Sequence, residues 1–182
     1  MGRVLRRLEA LDRRLQSTPM PPLLGTASLH ASTIAGGHEL SSYPARCTLQ
    51  VERRTLPGEP AGVGFQEIGS ILDALRREDA AFEGDARLLF MRGPYALNPD
   101  HPLPEMLAHA GRSAGCTPRR IGMSFWTDAA ILGAAGIPSV LFGPGGAGLH
   151  SAEEYVRLED VRRCRDALVA LTRAFTSGGG GR

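Results

Sequence analysis

Ile137-Pro138-Ser139-Val140-Leu141-Phe142-Gly143-Pro144-Gly145-Gly146-Ala147-Gly148-Leu149-His150 is the stretch on which the reading of this chain turns. Residues 137–142 form a nearly continuous apolar run, the pattern of a strand buried on both faces. A glycine loop follows, and a histidine stands just beyond it. In open α/β sheets, sites form at the carboxyl ends of the strands, which makes His150 a candidate functional residue. Two readings stand for it. One is a metal-bound imidazole, oriented by the acidic neighbours Glu153 and Glu154. The other is an exposed loop histidine beside a capping box made by Ser151 and Glu154. Gly143, Gly145 and Gly148 also spell G-x-G-x-x-G. A dinucleotide site would need a helix at once and then a second strand ending in an acid. His150, Ser151 and two glutamates intervene, and no strand is predicted after the last helix. The glycines therefore read as a sharp backbone turn.

Around that stretch, periodicity predicts alternating helices and strands. Leu103, Met106, Leu107 and Ala110 support a helix closed by Gly115. Residues 120–125 suit a short strand, and Asp128 suits the cap of an Ala-rich helix ending at Gly136. The final helix carries Val161, Cys164, Leu168, Leu171 and Phe175 on one face. Such alternation predicts a piece of α/β sheet. The first half reads as α+β. Val4, Leu8, Leu11 and Leu15 mark an amphipathic helix stopped by Pro19, Pro21 and Pro22. A strand over 27–34 follows, ending at Gly36-Gly37. Cys47, Leu49 and Val51 alternate with Thr48, Gln50 and Glu52 as a half-buried strand. A turn at 56–60 leads to a helix bearing Val63, Ile68, Ile71, Leu72 and Leu75, then a strand over 86–91. Asn98-Pro99-Asp100-His101-Pro102 marks the boundary, giving units 1–97 and 98–176 and a disordered tail, 177–182.

Composition narrows the class. Of 182 residues, 42% are hydrophobic and 22% charged, ordinary for a soluble globular chain with a sizeable core. The 21 basic residues, all arginine, nearly balance 19 acids; the net charge of +2 argues against a nucleic-acid partner. Cys47, Cys116 and Cys164 make no paired framework and no C-x-x-C, which points to a reducing compartment. Cys47 and Cys164 fall on apolar faces and read as core. No apolar run approaches the ~18 residues of a membrane span, and no h-region follows the charged N-terminus. A soluble, cytoplasmic protein is the expectation. Nucleophile-elbow, P-loop, H-E-x-x-H and zinc-knuckle motifs are all absent. His30 and His38 flank a strand end, and His101 and His109 lie beside or on a helix; all four read as surface residues.

Several segments resemble one metallohydrolase family. Trp126-Thr127-Asp128-Ala129-Ala130, Gly136-Ile137-Pro138, Phe142-Gly143-Pro144-Gly145 and His150-Ser151-Ala152-Glu153-Glu154-Tyr155-Val156 look like the C-terminal end of its catalytic domain. The family includes acetylornithine deacetylase, succinyl-diaminopimelate desuccinylase, aminoacylase and glutamate carboxypeptidases. Ile34-Ala35-Gly36-Gly37, Ser41-Ser42-Tyr43-Pro44, Cys47-Thr48-Leu49 and residues 52–59, Glu-Arg-Arg-Thr-Leu-Pro-Gly-Glu, resemble its lid, or dimerisation, domain.

The resemblance implies a partial ferredoxin-like lid followed by the C-terminal piece of a zinc-exopeptidase-like α/β domain. It implies hydrolysis of amide bonds in N-acyl amino acids or small peptides, with two zinc ions per complete site and cobalt as a substitute. By the same resemblance, His150 matches a metal ligand, Ser41 and Gly145 match substrate-binding positions, and Arg54 matches an arginine near the end of the lid strand whose role is either to bind the substrate carboxylate or structural. Ser41 stands where many members carry an asparagine. Asp128 matches an acidic position near the site, for which a cap or loop brace is the better reading. The family's His-x-Asp motif, bridging aspartate, paired glutamates and first lid strand have no match here. A catalytic zinc needs ~3 protein ligands and an open position. The expectation is a chain with no assured catalytic residue of its own, in effect beginning inside the lid and inactive alone. The alternative is a catalytically inactive dimerisation or partner-binding module, homodimeric through the lid.

Overall fold

The computed structural model describes residues 1–18 and 23–177. The three prolines expected to stop the first helix, and all of the expected tail except Ser177, lie outside them. The chain divides into two compact units: the described residues of Met1–Tyr95 with Gly122–Trp126, and Ala96–Ile121 with the described residues from Thr127 onward. Both mix helix with small antiparallel sheet, an α+β arrangement.

In the first unit, helix α1 (Gly2–Ser17) is followed by strands β1 (Ser28–Gly36) and β2 (Cys47–Arg54) and helix α2 (Val63–Glu78). The heptad-like spacing of α1 buries Leu8 and Leu11 against Leu29 of β1, with Leu49, Val51, Ile68 and Ile71 packed around them. β1 and β2 pair antiparallel from Ser28 opposite Arg54 to Gly36 opposite Cys47. The register slips between Ala31 and Thr33, so Ser32 is the extra residue of a β-bulge. α1 and α2 are also joined at their ends: Arg3 bonds Asp79 at 2.8 Å, and Arg7 pairs with Glu78. Segment 122–126 is held to this unit by Arg92, whose guanidinium lies 4.2 Å over the Trp126 ring.

Two expectations fail here. Residues 86–91 form no strand, and Leu88, Leu89, Phe90 and Met91 are exposed. Cys47 is exposed, not core. Cys47 pairs with Gly36 at the end of the hairpin, beyond the core that reaches β2 only at Leu49 and Val51. For residues 86–91 the reason is that a strand exists only where a neighbour takes its backbone hydrogen bonds. β2 has that neighbour on one side; residues 86–91 have none among the described residues.

The second unit contains helices α3 (Leu103–Ser113), α4 (Ala129–Ala134) and α5 (Leu158–Ser177), with a minimal hairpin of β3 (Gly146–Ala147) and β4 (Tyr155–Val156). α3 packs along α5, burying Leu107, Ala110 and Gly111 of the first and Ala167 of the second. The predicted strands over 120–125 and 137–142 are not formed. Ile137 and Leu141 are instead about half exposed. On α5 the covered stripe runs through Arg163, Cys164, Ala167 and Leu171, while Val161, Leu168 and Phe175 of the predicted face remain exposed. α3 supplies only one neighbour, and one neighbouring helix covers a narrower stripe than a full sheet would.

Candidate functional site

The glycine loop folds as a tight hairpin. After Gly143 and Pro144 the chain pairs Gly146 with Val156 and Ala147 with Tyr155. Gly148 adopts φ 77°, a conformation open chiefly to glycine, and a Cβ there would collide with the Glu153 carbonyl. A Cβ on Gly146 would collide with the Tyr155 carbonyl. These glycines are spent on closing the turn, as the sharp-turn reading expects. At Gly145 a Cβ would meet the Arg157 guanidinium and lie 2.7 Å from an Asp160 carboxylate oxygen. Arg157 Nε donates to that oxygen at 2.6 Å, and the Arg157 N–H donates to the Gly145 carbonyl at 3.1 Å.

His150 stands at the tip of this hairpin, exposed, with φ 61°. A left-handed conformation is uncommon outside glycine, although histidine tolerates it better than most residues. The turn holds it there, with the Ser151 N–H donating to the Gly148 carbonyl at 2.8 Å. Ser151 and Glu154 do not form the alternative capping box, because they lead into β4 and α5 begins only at Leu158. Among the described residues, no three His, Cys, Asp or Glu side chains converge to hold a metal ion. His150, Glu153 and Glu154 are all exposed in one loop, so this chain's described donors do not by themselves fit a zinc site.

Asp128 occupies the N-cap position of α4, but its side chain makes no capping bond. Its backbone carbonyl accepts from Ile131 and Leu132, both at 3.0 Å. The expected cap is thus a cap by position only, since Asp128 already has helical dihedrals (φ −62°, ψ −15°) instead of the extended ones that aim a cap side chain inward. Asp128 lies on an open, mainly apolar groove of about 570 Å³, bounded by α3, α5 and residues 138–142.

On the first unit, Arg54 ends β2 on its outward face, 45% exposed. It pairs with Glu52 at 3.4 Å, and one guanidinium nitrogen lies 3.5 Å from the Ser124 carbonyl. Ser41 is exposed in the loop at the other end of the hairpin. The other seven residues of β2, Cys47 to Arg53, separate that loop from Arg54, roughly 23 Å at strand rise. A small substrate does not span the two. The sequence candidates are therefore divided, with Arg54 and Ser41 on one unit and His150, Gly145 and Asp128 on the other.

Next to Arg54 in the first unit is a residue that was not singled out as a candidate. Arg53 is 6% exposed and sits on the inward face that Leu49 and Val51 begin. Its guanidinium donates to Glu67 at 2.9 Å, to Glu59 at 2.6 Å and to the Arg54 carbonyl at 2.6 Å. The Leu56 N–H donates to the other Glu59 oxygen at 2.6 Å. Burial opposes charge on Glu59, but the Arg53 bond, the Leu56 N–H and the nearby guanidinium outweigh it and hold the carboxyl below its usual range. Burial likewise works against the Arg53 charge, and the two carboxylates more than restore it. The network pins the end of β2, the 56–59 turn and α2 together. Continuing the period-two pattern from Val51 by one step would have found it.

Residues 24–174 match the model of peptidase family M20/M25/M40, and the chain belongs to that family. The chain is also 31% identical to an acetylornithine deacetylase from Myxococcus xanthus, over 97% of its own length. It spans about half of that relative, 46% of its length. The family is one of hydrolases, as the sequence resemblance implied.

Proposed function

We propose that the chain supplies a lid unit, residues 1–97, and the C-terminal catalytic segment, residues 98–176, of a zinc-dependent amidohydrolase acting on N-acyl amino acids or small peptides. The observation that carries this reading is the family match across 24–174, which includes both the β1–β2 hairpin and the His150 turn. The deacetylase name of the relative makes an N-acetyl amino acid the first substrate to try. Arg54 carries the positive charge suited to a substrate carboxylate. His150 is the metal ligand, presented at the tip of a hairpin whose close turn Gly146 and Gly148 permit. No described cluster completes a zinc site, so the reading assigns activity to an assembly containing further ligands. Among the described residues no helix is long and apolar enough to cross a membrane; action in the cytoplasm is part of the proposed reading.

The test joins the purified chain to a polypeptide covering the other half of a complete relative, then measures acetate release from N-acetyl amino acids. Hydrolysis is expected only in the mixture. It should disappear with a chelator and fall at least ~100-fold with His150→Ala, since loss of a metal ligand removes the nucleophile-generating ion. Elemental analysis of the chain alone should find near-zero zinc. Two zincs per chain, or full activity of His150→Ala in the mixture, would overturn the assignment.

A second reading, a homodimeric or partner-binding module, draws on the far end of the β1–β2 hairpin. Ile34, Leu40 and Tyr43 are all exposed there. Its sign is a stable dimer that Ile34→Asp dissociates, with no hydrolysis restored by any complementary half.

A further inference from the structure

We propose that Cys116 and Cys164 are a vicinal thiol pair that closes to a reversible disulfide across the α3–α5 seam when a low-molecular-weight disulfide is the oxidant. The placement begins with the end of α3. Gly115, at φ 77°, terminates the helix in a Schellman turn: the Cys116 N–H donates to the Gly111 carbonyl at 2.8 Å, and the Gly115 N–H to Arg112 at 3.0 Å. That turn folds Cys116 back onto the helix, and a Cβ built on Gly111 would lie 3.7 Å from the Cys116 Cβ. The side chain is therefore held half-buried beside α3 and does not trail into solvent.

Cys164 comes to the same place from α5. It is half-buried on the stripe that also holds Arg163, Ala167 and Leu171. The two helices run antiparallel. Leu103 and Leu107 of α3 share one groove with Leu168 and Leu171 of α5. At the opposite end, a Cβ on Gly115 would lie 3.9 Å from Arg163 Nε. Counting back along both helices from the first contact sets Gly111 level with Ala167. One turn further, Gly115 stands level with Arg163, and the Schellman turn folds Cys116 back beside Gly111, close to Cys164, the neighbour of Arg163 on α5. The small residues Ala110, Gly111 and Ala167, all buried, let the backbones approach closely at this point. Burial raises the Cys164 thiol above its ordinary value, and the neighbouring Cys116 adds to the rise.

The exchange balances with oxidised glutathione. The Cys116 thiolate attacks one glutathione sulfur, and the other glutathione leaves as a thiolate. The Cys164 thiol then loses its proton to solvent, and its sulfur attacks that of Cys116, expelling the second glutathione. The protein loses two hydrogens and two glutathione thiols are formed. The elevated Cys164 thiol suits the later, resolving step, where effective concentration replaces thiolate abundance. In a reducing compartment the pair stays open.

The experiment treats the full chain with oxidised glutathione and follows intact mass, free thiols and disulfide-linked tryptic peptides. Of the three cysteines, the exposed Cys47 serves as the internal reference for an isolated thiol. The expected result is loss of the Cys116 and Cys164 thiols together, with a peptide linking them and a glutathione adduct at Cys47 alone. In urea the selectivity should vanish and linkages to Cys47 appear. Cys116→Ser and Cys164→Ser should each abolish the internal link and leave a glutathione adduct on the surviving partner. Separate glutathione adducts on Cys116 and Cys164 in the folded wild-type chain overturn the proposal. So does linkage of either to Cys47 there, or resistance of both while Cys47 reacts.

Discussion

Residues 47–54 and residues 137–142 are both short runs rich in apolar side chains, yet only the first is a strand. β2 pairs along its whole length with β1 and turns Leu49 and Val51 onto the α1 core. Residues 137–142 form no strand among the described residues, and Leu141 is 47% exposed. The difference teaches that β structure is a property of pairs. Hydrophobicity nominates a strand, but its backbone groups need a neighbour before burial becomes favourable. The two units differ accordingly: the first is centred on a hairpin under two helices, the second on a helix pair with apolar segments left open.

The comparison can be broken most severely through core truncation. Leu75, 1% exposed on α2, should cost about 3 kcal/mol as Leu75→Ala, from lost burial and a residual cavity. Leu141→Ala should cost under about 1 kcal/mol, because half its surface is already wet. Urea unfolding of both variants measures the contrast. A Leu141→Ala loss equal to that of Leu75→Ala would mean that residues 137–142 are as well packed as the hairpin unit.

Slightly smaller is the contrast between adjacent arginines. Arg53→Ala leaves two partly buried carboxylates without their cation and should destabilise by about 2–3 kcal/mol, the residual exposure of both glutamates tempering the loss. Arg54→Ala removes only exposed contacts and should stay within about 0.5 kcal/mol. Equal effects in the same unfolding assay would refute the division into a buried anchor and a surface group.

The smallest expected effect is the pH dependence. Glu59 has a folded-state pKa below its unfolded value, so the stability it contributes is present above the unfolded value and is lost as pH falls through the folded one. Glu78 and Asp79 are also lowered, chiefly by hydrogen bonds from Arg7 and Arg3 respectively, and act in the same direction. The melting midpoint should therefore drop as pH falls through and below the ordinary carboxylate range. Glu59→Gln should flatten part of that drop, and an unchanged acid profile in that variant would remove Glu59 from the account.

Much of this was legible in the residues themselves. Spacings of three and four mark α1, α2, α3 and α5, because a helix declares its buried face within its own sequence. The alternation at 47–52 marks β2 for the same reason, with period two. The segments carrying the family resemblance also nominate His150, Arg54 and Gly145 as candidate site residues. Arg53 was legible in principle, but its charge disguised an inward position that only two carboxylates make tolerable.

What local pattern cannot contain is the identity of a partner. Tertiary structure decided that residues 86–91 and 137–142 stay outside any sheet, since that depends on which backbone lies alongside. It decided that Ser151 leads into a hairpin strand and not a helix, and that Ser41 and Arg54 face opposite ends of one ribbon. It also brought two cysteines, 48 positions apart (164 − 116), close together at one helix seam, a meeting set by the packing of α3 on α5. Sequence determined which faces must be buried, because hydrophobic patterning is written locally; packing alone determined which of them found something to be buried against.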